Sequence, residues 1–211
     1  MSEILEGRIS VLAALLARRR KFEEVLVRQG IQEESIRDVL DAAEAAGVPV
    51  HRVRQEGLEA RSHGKSHGGV LAVAGPLPPA TLPEKLDFVL FLDGVDDGRN
   101  LGFTLRSAEA FGVQAVILRR REWDFDGGDV SRASSGAYER LPVVIADETP
   151  PGLTLVGCAA GATKTLYEEN FKRPLALAIG GEKRGLSAAV RNRCASLVSI
   201  RTSPLFVSAI S

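Results

Sequence analysis

The stretch LALAIGGEKRGLS, residues 175–187, combines an apolar run, a glycine-rich turn and a serine that precedes a helical pattern. Five consecutive apolar residues are typical of a strand that is buried on both faces, as in a parallel sheet. A similar run, FVLFL at residues 88–92, precedes a second glycine-rich turn and another helical pattern. This alternation predicts an α/β fold with a mostly parallel sheet covered on both faces. Further strands are predicted at 115–118, 141–146, 154–158 and 197–200, and helices at 100–111 and 187–194.

The chain before this region predicts a smaller α/β domain that runs helix, strand, helix, strand. The sequence GPLPPA, residues 75–80, then interrupts every regular pattern, because proline fixes φ and removes backbone donors. We therefore predict an N-terminal domain at 1–75, a linker at 76–83 and a second domain at 84–211. Within the first domain, helices are predicted at 8–19 and 33–46, and strands at 24–27, 48–53 and 69–74.

Composition excludes several classes of protein. Of the 211 residues, 45% are hydrophobic and 26% are charged, which is typical of a folded globular chain. Lys plus Arg equals Asp plus Glu, at 27 each, so any surface for RNA must be a local one. Cys158 and Cys194 are too few for a disulfide framework and lack metal-ligand spacing. With neither a signal sequence nor an apolar run of ~18 residues, the chain is predicted to be cytoplasmic.

The turn after FVLFL contains polar residues that could bind an anion. It reads DGVDDGRNLG at residues 93–102, and Asn100 occupies the position expected of a helix N-cap. Arg106 follows nearly two helical turns later and could reach an anionic group over the glycine-rich turn. The alternative is that Asn100 only caps the helix and Arg106 is a solvated surface charge.

The turn after LALAI places Glu182 between Gly180-Gly181 and Gly185, at the mouth of the predicted sheet. Glycines allow the backbone to approach a ligand closely. The alternative is an ordinary strand-to-helix turn in which Ser187 caps the next helix. The turn matches neither the G-x-G-x-x-G dinucleotide pattern nor a Walker loop. The three histidines, His51, His63 and His67, all precede the linker, and His63 and His67 lie in a glycine-rich turn without Cys or carboxylate support, so no metal site is predicted.

Two clusters of basic residues could attract RNA. Arg18–Lys21 ends the first predicted helix, where positive charge also complements the helix dipole. Arg119–Arg121 follows a predicted strand of the second domain. Trp123 and Phe125 lie close to the second cluster in sequence and could stack on bases or belong to a core or interface.

Three segments, in this order, resemble the motifs of the SpoU (TrmH-like) RNA ribose 2′-O-methyltransferases. The first contains Asn100-Leu101-Gly102, Arg106-Ser107-Ala108 and Phe111-Gly112, and the second is ASSGA at 133–137 followed by LPV at 141–143. The third is AIGGEKRGLS at 178–187. Residues 6–70 are similar to the ribosomal-protein-like RNA-binding domain that precedes many members acting on ribosomal RNA.

The resemblance implies a SPOUT fold, in which a parallel sheet ends in a C-terminal trefoil knot that holds S-adenosylmethionine. It also implies a homodimer. By position, Asn100, Arg106 and Glu182 match the family's catalytic or RNA-positioning polar residues. Gly180, Gly181 and Ile200 match contacts to the methyl donor, which are made largely through the backbone.

The last motif of the family, Ile-Pro-Met followed by Ser-Leu-Asn-Val-Ser, is altered here. Ile200 is followed by RTSPLFVSAIS. Aligned without a gap, Ser208 takes the place of the motif serine; with a four-residue deletion, Leu205 and Val207-Ser208 match instead. Ser208 is therefore a predicted catalytic residue and Leu205 a predicted donor contact, while the motif asparagine is absent in both alignments. The chain is expected to lack the C-terminal helix into which the family continues.

The resemblance thus implies an enzyme that transfers a methyl group from S-adenosylmethionine to a ribose 2′-hydroxyl of RNA, with ribosomal RNA favoured as the substrate. In this interpretation Arg106 clamps a phosphate and stabilises developing alkoxide charge, because a guanidinium does not lose its proton near neutral pH. Glu182 and Asn100 would orient Arg106 and the ribose. Two alternatives remain: a non-catalytic RNA-binding or assembly protein that kept the fold, and a tRNA ribose methyltransferase. Binding of the methyl donor distinguishes the first of these from an enzyme.

Overall fold

A computed structural model describes residues 2–63, 67–95, 97–121, 123 and 125–201. The chain forms two compact units that interleave in sequence. The first comprises Met1–Pro79, Asp97–Ser107 and Trp123–Leu141. The second comprises Ala80–Asp96, Ala108–Glu122 and Pro142–Ser211.

The first unit contains a four-stranded sheet of order β1-β4-β2-β3. Strand β4 pairs antiparallel with both β1 and β2, and β3 pairs parallel with β2. The chain starts with a strand, so the predicted order of helix, strand, helix, strand is wrong at its beginning; four residues are too short to show a clear alternation. The strands are β1 (Glu3–Glu6), β2 (Phe22–Arg28), β3 (Val50–Val53) and β4 (Val70–Ala74).

Two amphipathic helices cover this sheet. Helix α1 (Arg8–Ala17) and helix α2 (Arg37–Ala46) bury Val11, Leu15 and Val39 against the fully buried strand β4. A single 3-10 turn at Glu33–Ile36 precedes α2, so the helix predicted at 33–46 is present in two parts. Gly47 ends α2 with φ of 66°, a left-handed conformation that favours glycine. A short helix that the sequence did not predict, α3 (Gln55–Glu59), follows β3.

Three further helical segments belong to this unit. Helix α4 (Gly98–Ala110) contributes its first ten residues, and α5 (Gly127–Ala133) and α6 (Ala137–Arg140) follow later in the chain. Helix α5 packs so closely on β1 that a Cβ atom on Gly128 would lie 2.2 Å from the carbonyl oxygen of Ile4. Neither α5 nor α6 was predicted, because α5 begins with two glycines and α6 is only four residues long.

The second unit is built on a seven-stranded sheet of order β7-β6-β5-β10-β8-β11-β9. Every described strand pair in it is parallel. Its core contains Val89, Phe91, Ile117, Ala176 and Ala178 from the central strands. The predicted α/β fold with a mostly parallel sheet is thereby confirmed. The strands are β5 (Phe88–Leu92), β6 (Ala115–Arg119), β7 (Val143–Ala146), β8 (Thr154–Cys158), β9 (Lys164–Thr165), β10 (Leu175–Ile179) and β11 (Ser196–Ser199).

Parallel strands bring the turns after them to one edge of the sheet. The turns after β5, β6 and β10 are therefore neighbours, because these strands are adjacent in the order β6-β5-β10. The helix predicted at 187–194 is a single turn, α7 (Ala188–Arg191). The predicted trefoil knot involves residues beyond 201, outside the described residues, and stays a prediction. Among the helices of the described residues, none is long and apolar enough to cross a membrane.

Candidate active site

Helix α4 presents two of the predicted site residues on its exposed side, Asn100 and Arg106. The helix begins at Gly98, and the carboxylate of Asp97 accepts a hydrogen bond of 2.8 Å from the backbone N–H of Asn100. Asp97 is thus the capping residue, and the prediction that Asn100 is the N-cap is wrong. The Asp97 carboxylate accepts from the free backbone N–H three residues later, as a capping side chain does, and the Asn100 side chain is left exposed.

A close contact between α4 and α5 accounts for the glycine of the Asn100-Leu101-Gly102 motif. A Cβ atom on Gly102 would lie 2.5 Å from Cβ of Ala133 and 2.9 Å from the backbone nitrogen of Ser134. Glycine therefore lets the inner side of α4 lie directly on α5. Arg106, on the outer side, makes no hydrogen bond or ion pair with the described residues.

In the second unit, the turn after β10 is closed by its own glycines. The backbone N–H of Gly185 donates to the carbonyl of Gly181 over 2.8 Å, and the two residues form an isolated bridge. A Cβ atom on Gly180 would lie 2.0 Å from the carbonyl carbon of Gly185, so the backbone crosses itself where only glycine fits. Glu182 lies at the exposed tip of this turn, between the bridged glycines.

Asp93, the residue after β5, makes hydrogen bonds to residues before and after this turn. Its backbone N–H donates to the carbonyl of Ile179 over 2.9 Å, and its carboxylate accepts from the backbone N–H of Ser187. The guanidinium of Arg119, at the end of β6, donates from Nη1 to the Asp93 carboxylate over 2.7 Å and to Ser187 Oγ over 2.8 Å. Ser187 also caps α7, as the alternative interpretation of this turn predicted.

The carboxylate of Asp93 is ionised in a nearly closed environment, since its side chain is only 2% exposed. Burial by itself would raise its pKa, but the backbone N–H of Ser187 and the Arg119 guanidinium outweigh that effect, and the pKa is lowered. The sequence placed Asp93 in a polar turn and Arg119 in a basic cluster, but it did not predict that the two pair or that they anchor the turn after β10. The available signal was their position, because Arg119 ends β6 and Asp93 directly follows β5.

A cleft of about 670 Å³ opens beside this network. Its cationic lining comes from Arg119 at the end of β6, from Arg120 and Arg121 after that strand, and from Lys183 and Arg184 in the turn after β10. Asp93 is the carboxylate that lines it, and glycines form much of the remaining wall.

Three of the predicted site residues, Ile200, Leu205 and Ser208, follow strand β11 in the sequence. Ile200 directly follows β11 and is 63% exposed. Strands β10, β8 and β11 are neighbours in the parallel sheet, so Gly180 and Ile200 lie at the same edge. Leu205 and Ser208 lie outside the described residues.

In the first basic cluster, Arg18 and Lys21 are exposed, but Arg20 is not available to RNA. Arg20 is completely buried and pairs through Nε and Nη2 with the carboxylate of Glu139 at 2.9–3.0 Å. Its Nη1 donates to Glu3 at 2.6 Å, so the charge is used within the first unit, and the prediction is wrong for Arg20. Trp123 and Phe125 pack on one another with ring centroids 5.3 Å apart.

One group of potential metal ligands occurs among the described residues: His63, Asp126 and Asp129, whose ligand atoms all lie within 4.8 Å of one another. Both carboxylates already have structural partners, because Asp126 caps α5 and Asp129 accepts from Arg132. Cys158 and Cys194 are free thiols whose pKa values are raised by burial, so both favour the protonated form.

Comparison with known proteins shows which family the sequence matches. Residues 87–208 match the SpoU rRNA methylase family, and residues 4–80 match the RNA 2′-O ribose methyltransferase substrate-binding family. The chain therefore belongs to the SpoU rRNA methylase family, and the resemblance seen in its motifs is confirmed.

Among its relatives is the 23S rRNA (guanosine-2′-O-)-methyltransferase RlmB of Photorhabdus laumondii. The two are 32% identical over 95% of this chain and 88% of the relative. A solved RNA 2′-O ribose methyltransferase is 27% identical, with a TM-score of 0.80 over 99% of this chain and 85% of that one. The SpoU methyltransferase AviRb from Streptomyces viridochromogenes, solved in complex with AdoMet, shares the fold, with a TM-score of 0.77 at 21% identity over 96% of this chain and 81% of that one.

Proposed function

We propose that this protein transfers a methyl group from S-adenosylmethionine to a ribose 2′-hydroxyl of RNA, with ribosomal RNA as the substrate. The observation that carries the proposal is the 32% identity, over 95% of the chain, to a relative named a 23S rRNA (guanosine-2′-O-)-methyltransferase. An enzyme of ribosomal RNA works where ribosomes are assembled, so the cytoplasm is its proposed location.

We also propose that residues 1–75 bind the RNA substrate and that residues 84–211 form the methyltransferase domain, joined by a linker at 76–83. The family matches at residues 4–80 and 87–208 support this division of the sequence.

The edge of the sheet near β10 and β11 fits a methyl donor. Gly180 and Gly181 leave backbone without side chains there, and Ile200 offers an exposed apolar surface. A largely apolar wall with a few backbone polar groups suits a nucleoside ligand. Gly180, Gly181, Ile200 and Leu205 would hold the donor, which supplies a methyl group already activated on a sulfonium; this chemistry calls for no metal.

The side chains of the protein must align the ribose hydroxyl with the methyl group of the donor. They must also stabilise the negative charge that develops on the hydroxyl oxygen. Arg106, exposed and without a partner among the described residues, suits a clamp on the phosphate beside the target ribose. A guanidinium keeps its proton near neutral pH, so Arg106 would stabilise the developing alkoxide charge and would not act as the base. As the oxygen–methyl bond forms and the methyl–sulfur bond breaks, the hydroxyl proton passes to water.

The other three assigned residues are polar groups that suit hydrogen bonds to the ribose. The carboxylate of Glu182 accepts hydrogen bonds, and the Asn100 amide can donate and accept them. Both side chains are exposed. Ser208 completes the assignment by its place in the last motif.

A homodimer is also part of the proposal. Phe103 is 58% exposed on the same outer side of α4 as Arg106, which is unusual for a large aromatic side chain. Covering it with a second copy would remove that apolar surface from water.

The proposal predicts that Arg106→Ala lowers the rate of methyl transfer by about 100-fold or more, because transition-state charge loses its stabilising partner. Donor affinity should stay within about twofold of wild type, since the donor is held by other residues. Transfer of tritium from labelled donor to ribosomal RNA measures the rate, and calorimetry measures donor affinity.

Arg99→Ala is the matched control, because Arg99 is another exposed arginine on α4 outside the motif. It should keep its rate within a few-fold of wild type. Wild-type turnover by Arg106→Ala would refute the assignment. A chain that binds RNA but neither binds donor nor transfers methyl groups would instead support the non-catalytic assembly protein, and transfer to tRNA alone would support the tRNA enzyme.

A further inference from the structure

The cleft beside Asp93 concentrates positive charge to which the proposed function has assigned no role. Five cationic side chains line it together with one carboxylate, although the whole chain has no net charge. They come from two turns that flank the turn after β5, because the sheet order is β6-β5-β10. Arg119 ends β6 and is followed by Arg120 and Arg121, and Lys183 and Arg184 lie in the turn after β10.

The cationic side chains that line this cleft differ in their hydrogen bonds and ion pairs. Arg119 is committed to Asp93 and Ser187 and forms part of the wall. Arg120 pairs with Asp147 over 3.2 Å, but both side chains are about two-thirds exposed, and such a pair exchanges readily with another anion. Lys183 and Arg184 have no hydrogen bond or ion pair with any described residue. Their charges are available to a ligand.

The shape of the cleft suits an extended ligand. A Cβ atom on Gly94 would lie 3.0 Å from the backbone nitrogen of Gly181, so the two turns meet where neither has a side chain. Gly185 lines the cleft as well. The volume of about 670 Å³ exceeds what a single phosphate or carboxylate fills, and cationic side chains from both turns line it.

We propose that this cleft binds consecutive phosphates of the RNA backbone, using Arg120, Lys183 and Arg184 as exchangeable contacts. The inference rests on the proposed function and adds a phosphate-binding site to it. A single carboxylate, such as that of the methyl donor, needs one or two cations, whereas consecutive phosphates of a nucleic acid strand can pair with several.

The test uses two double variants of the full chain that remove the same charges. Lys183→Gln/Arg184→Gln removes two cations of the cleft. Lys172→Gln/Arg173→Gln removes an adjacent Lys-Arg pair that is separated from the start of β10 by Pro174, at the opposite edge of the same sheet. Binding of a fluorescent single-stranded RNA oligonucleotide is measured by anisotropy over a series of salt concentrations without donor, and donor affinity is measured separately by calorimetry.

We expect the cleft variant to bind the oligonucleotide about tenfold more weakly at low salt. The slope of log affinity against log salt should fall by about 1.4, because each lost phosphate contact on a single strand removes roughly 0.7. The control variant should stay within about twofold in affinity, and both should bind donor like wild type. Thermal unfolding of each variant shows that the fold is retained.

Equal losses in the two variants would overturn the proposal, since net charge alone would then explain the effect. So would unchanged RNA binding in the cleft variant, or a loss confined to donor affinity, which would assign the cleft to the donor carboxylate. These results are independent of turnover: a wild-type chain that binds RNA through the cleft and transfers no methyl group would refute the proposed function and leave this inference standing.

Discussion

At the scale of single residues, Asp93 organises the second unit's edge through three hydrogen-bonding atoms, its backbone nitrogen and both carboxylate oxygens. Its backbone and carboxylate together reach Ile179, Ser187 and Arg119. A nearly buried carboxylate is favourable only where such donors replace the water it has lost. Because its pKa is lowered from the ordinary value of 3.8, ionised Asp93 stabilises the folded chain.

Asp93→Asn tests this stabilisation and its dependence on pH. We expect the variant to lose about 2 kcal/mol of unfolding free energy at pH 7, the range for hydrogen bonds to charged groups. The difference from wild type should be fully present above the unfolded pKa near 3.8 and should be lost as pH falls through the lower folded pKa. Urea unfolding at several pH values measures it.

Asp147→Asn is the control, because Asp147 belongs to the exposed pair with Arg120. It should change the unfolding free energy by less than about 0.5 kcal/mol. A cost for Asp93→Asn that is no larger, or one that persists unchanged at pH 2, would contradict the role assigned to Asp93.

At the scale of elements, the turn after β10 shows that glycine positions in a sequence can indicate an unusual turn without revealing the backbone contacts that require them. The sequence identified Gly180, Gly181 and Gly185 as an unusual turn, and the structure explains Gly180 by the backbone crossing at Gly185. That crossing depends on atoms five residues apart meeting in space, which no periodicity reveals. The cap of α4 is a different case, because Asp97 and Asn100 are both local candidates and only the hydrogen bond in the structure shows that Asp97 is the cap.

Gly180→Ala should displace this turn. The added methyl group would lie 2.0 Å from the Gly185 carbonyl carbon, a backbone atom that cannot rotate away. We expect a loss of about 2 kcal/mol or more in unfolding free energy, as overpacking of a closed site produces. Urea unfolding measures the loss, and calorimetry should also show weaker donor binding.

Gly57→Ala provides the contrast, because a Cβ atom there would meet Val53 at an ordinary 3.7 Å within helix α3. It should leave stability unchanged or raise it by up to about 1 kcal/mol, the difference in helix propensity between the two residues. A Gly180→Ala protein as stable as the Gly57→Ala protein would show that the turn can open without cost.

At the scale of the whole molecule, segments far apart in sequence build the first unit. Residues 123–141 belong to it together with the N-terminal sheet, and the buried pair of Arg20 and Glu139 joins residues 119 positions apart. Both side chains are completely buried, and Glu3 and the carbonyl of Gly75 accept further hydrogen bonds from Arg20. Such a network is costly to break, because the remaining charge has no access to water.

Glu139→Gln should therefore lower the free energy of unfolding by about 3 kcal/mol or more, since it leaves the Arg20 charge poorly compensated. Glu33→Gln, which removes a charge from the exposed pair with Arg52, should cost less than about 0.5 kcal/mol. Urea unfolding of both variants measures the difference. Similar small costs for the two would mean that Arg20 reaches solvent or another anion in the first unit.

The sequence by itself determined the α/β class, the parallel sheet and the family. Apolar runs such as Leu175–Ile179 and the motif residues around Asn100, Arg106 and Glu182 are local features, and local order in the chain is enough to recognise them. Only the tertiary structure decided that Asp93 and Arg119 anchor the turn of Glu182, that Arg20 is buried, and that two separate basic turns line one cleft. These depend on which strands become neighbours and on which charges lose their water, and both are set by contacts between residues far apart in the chain.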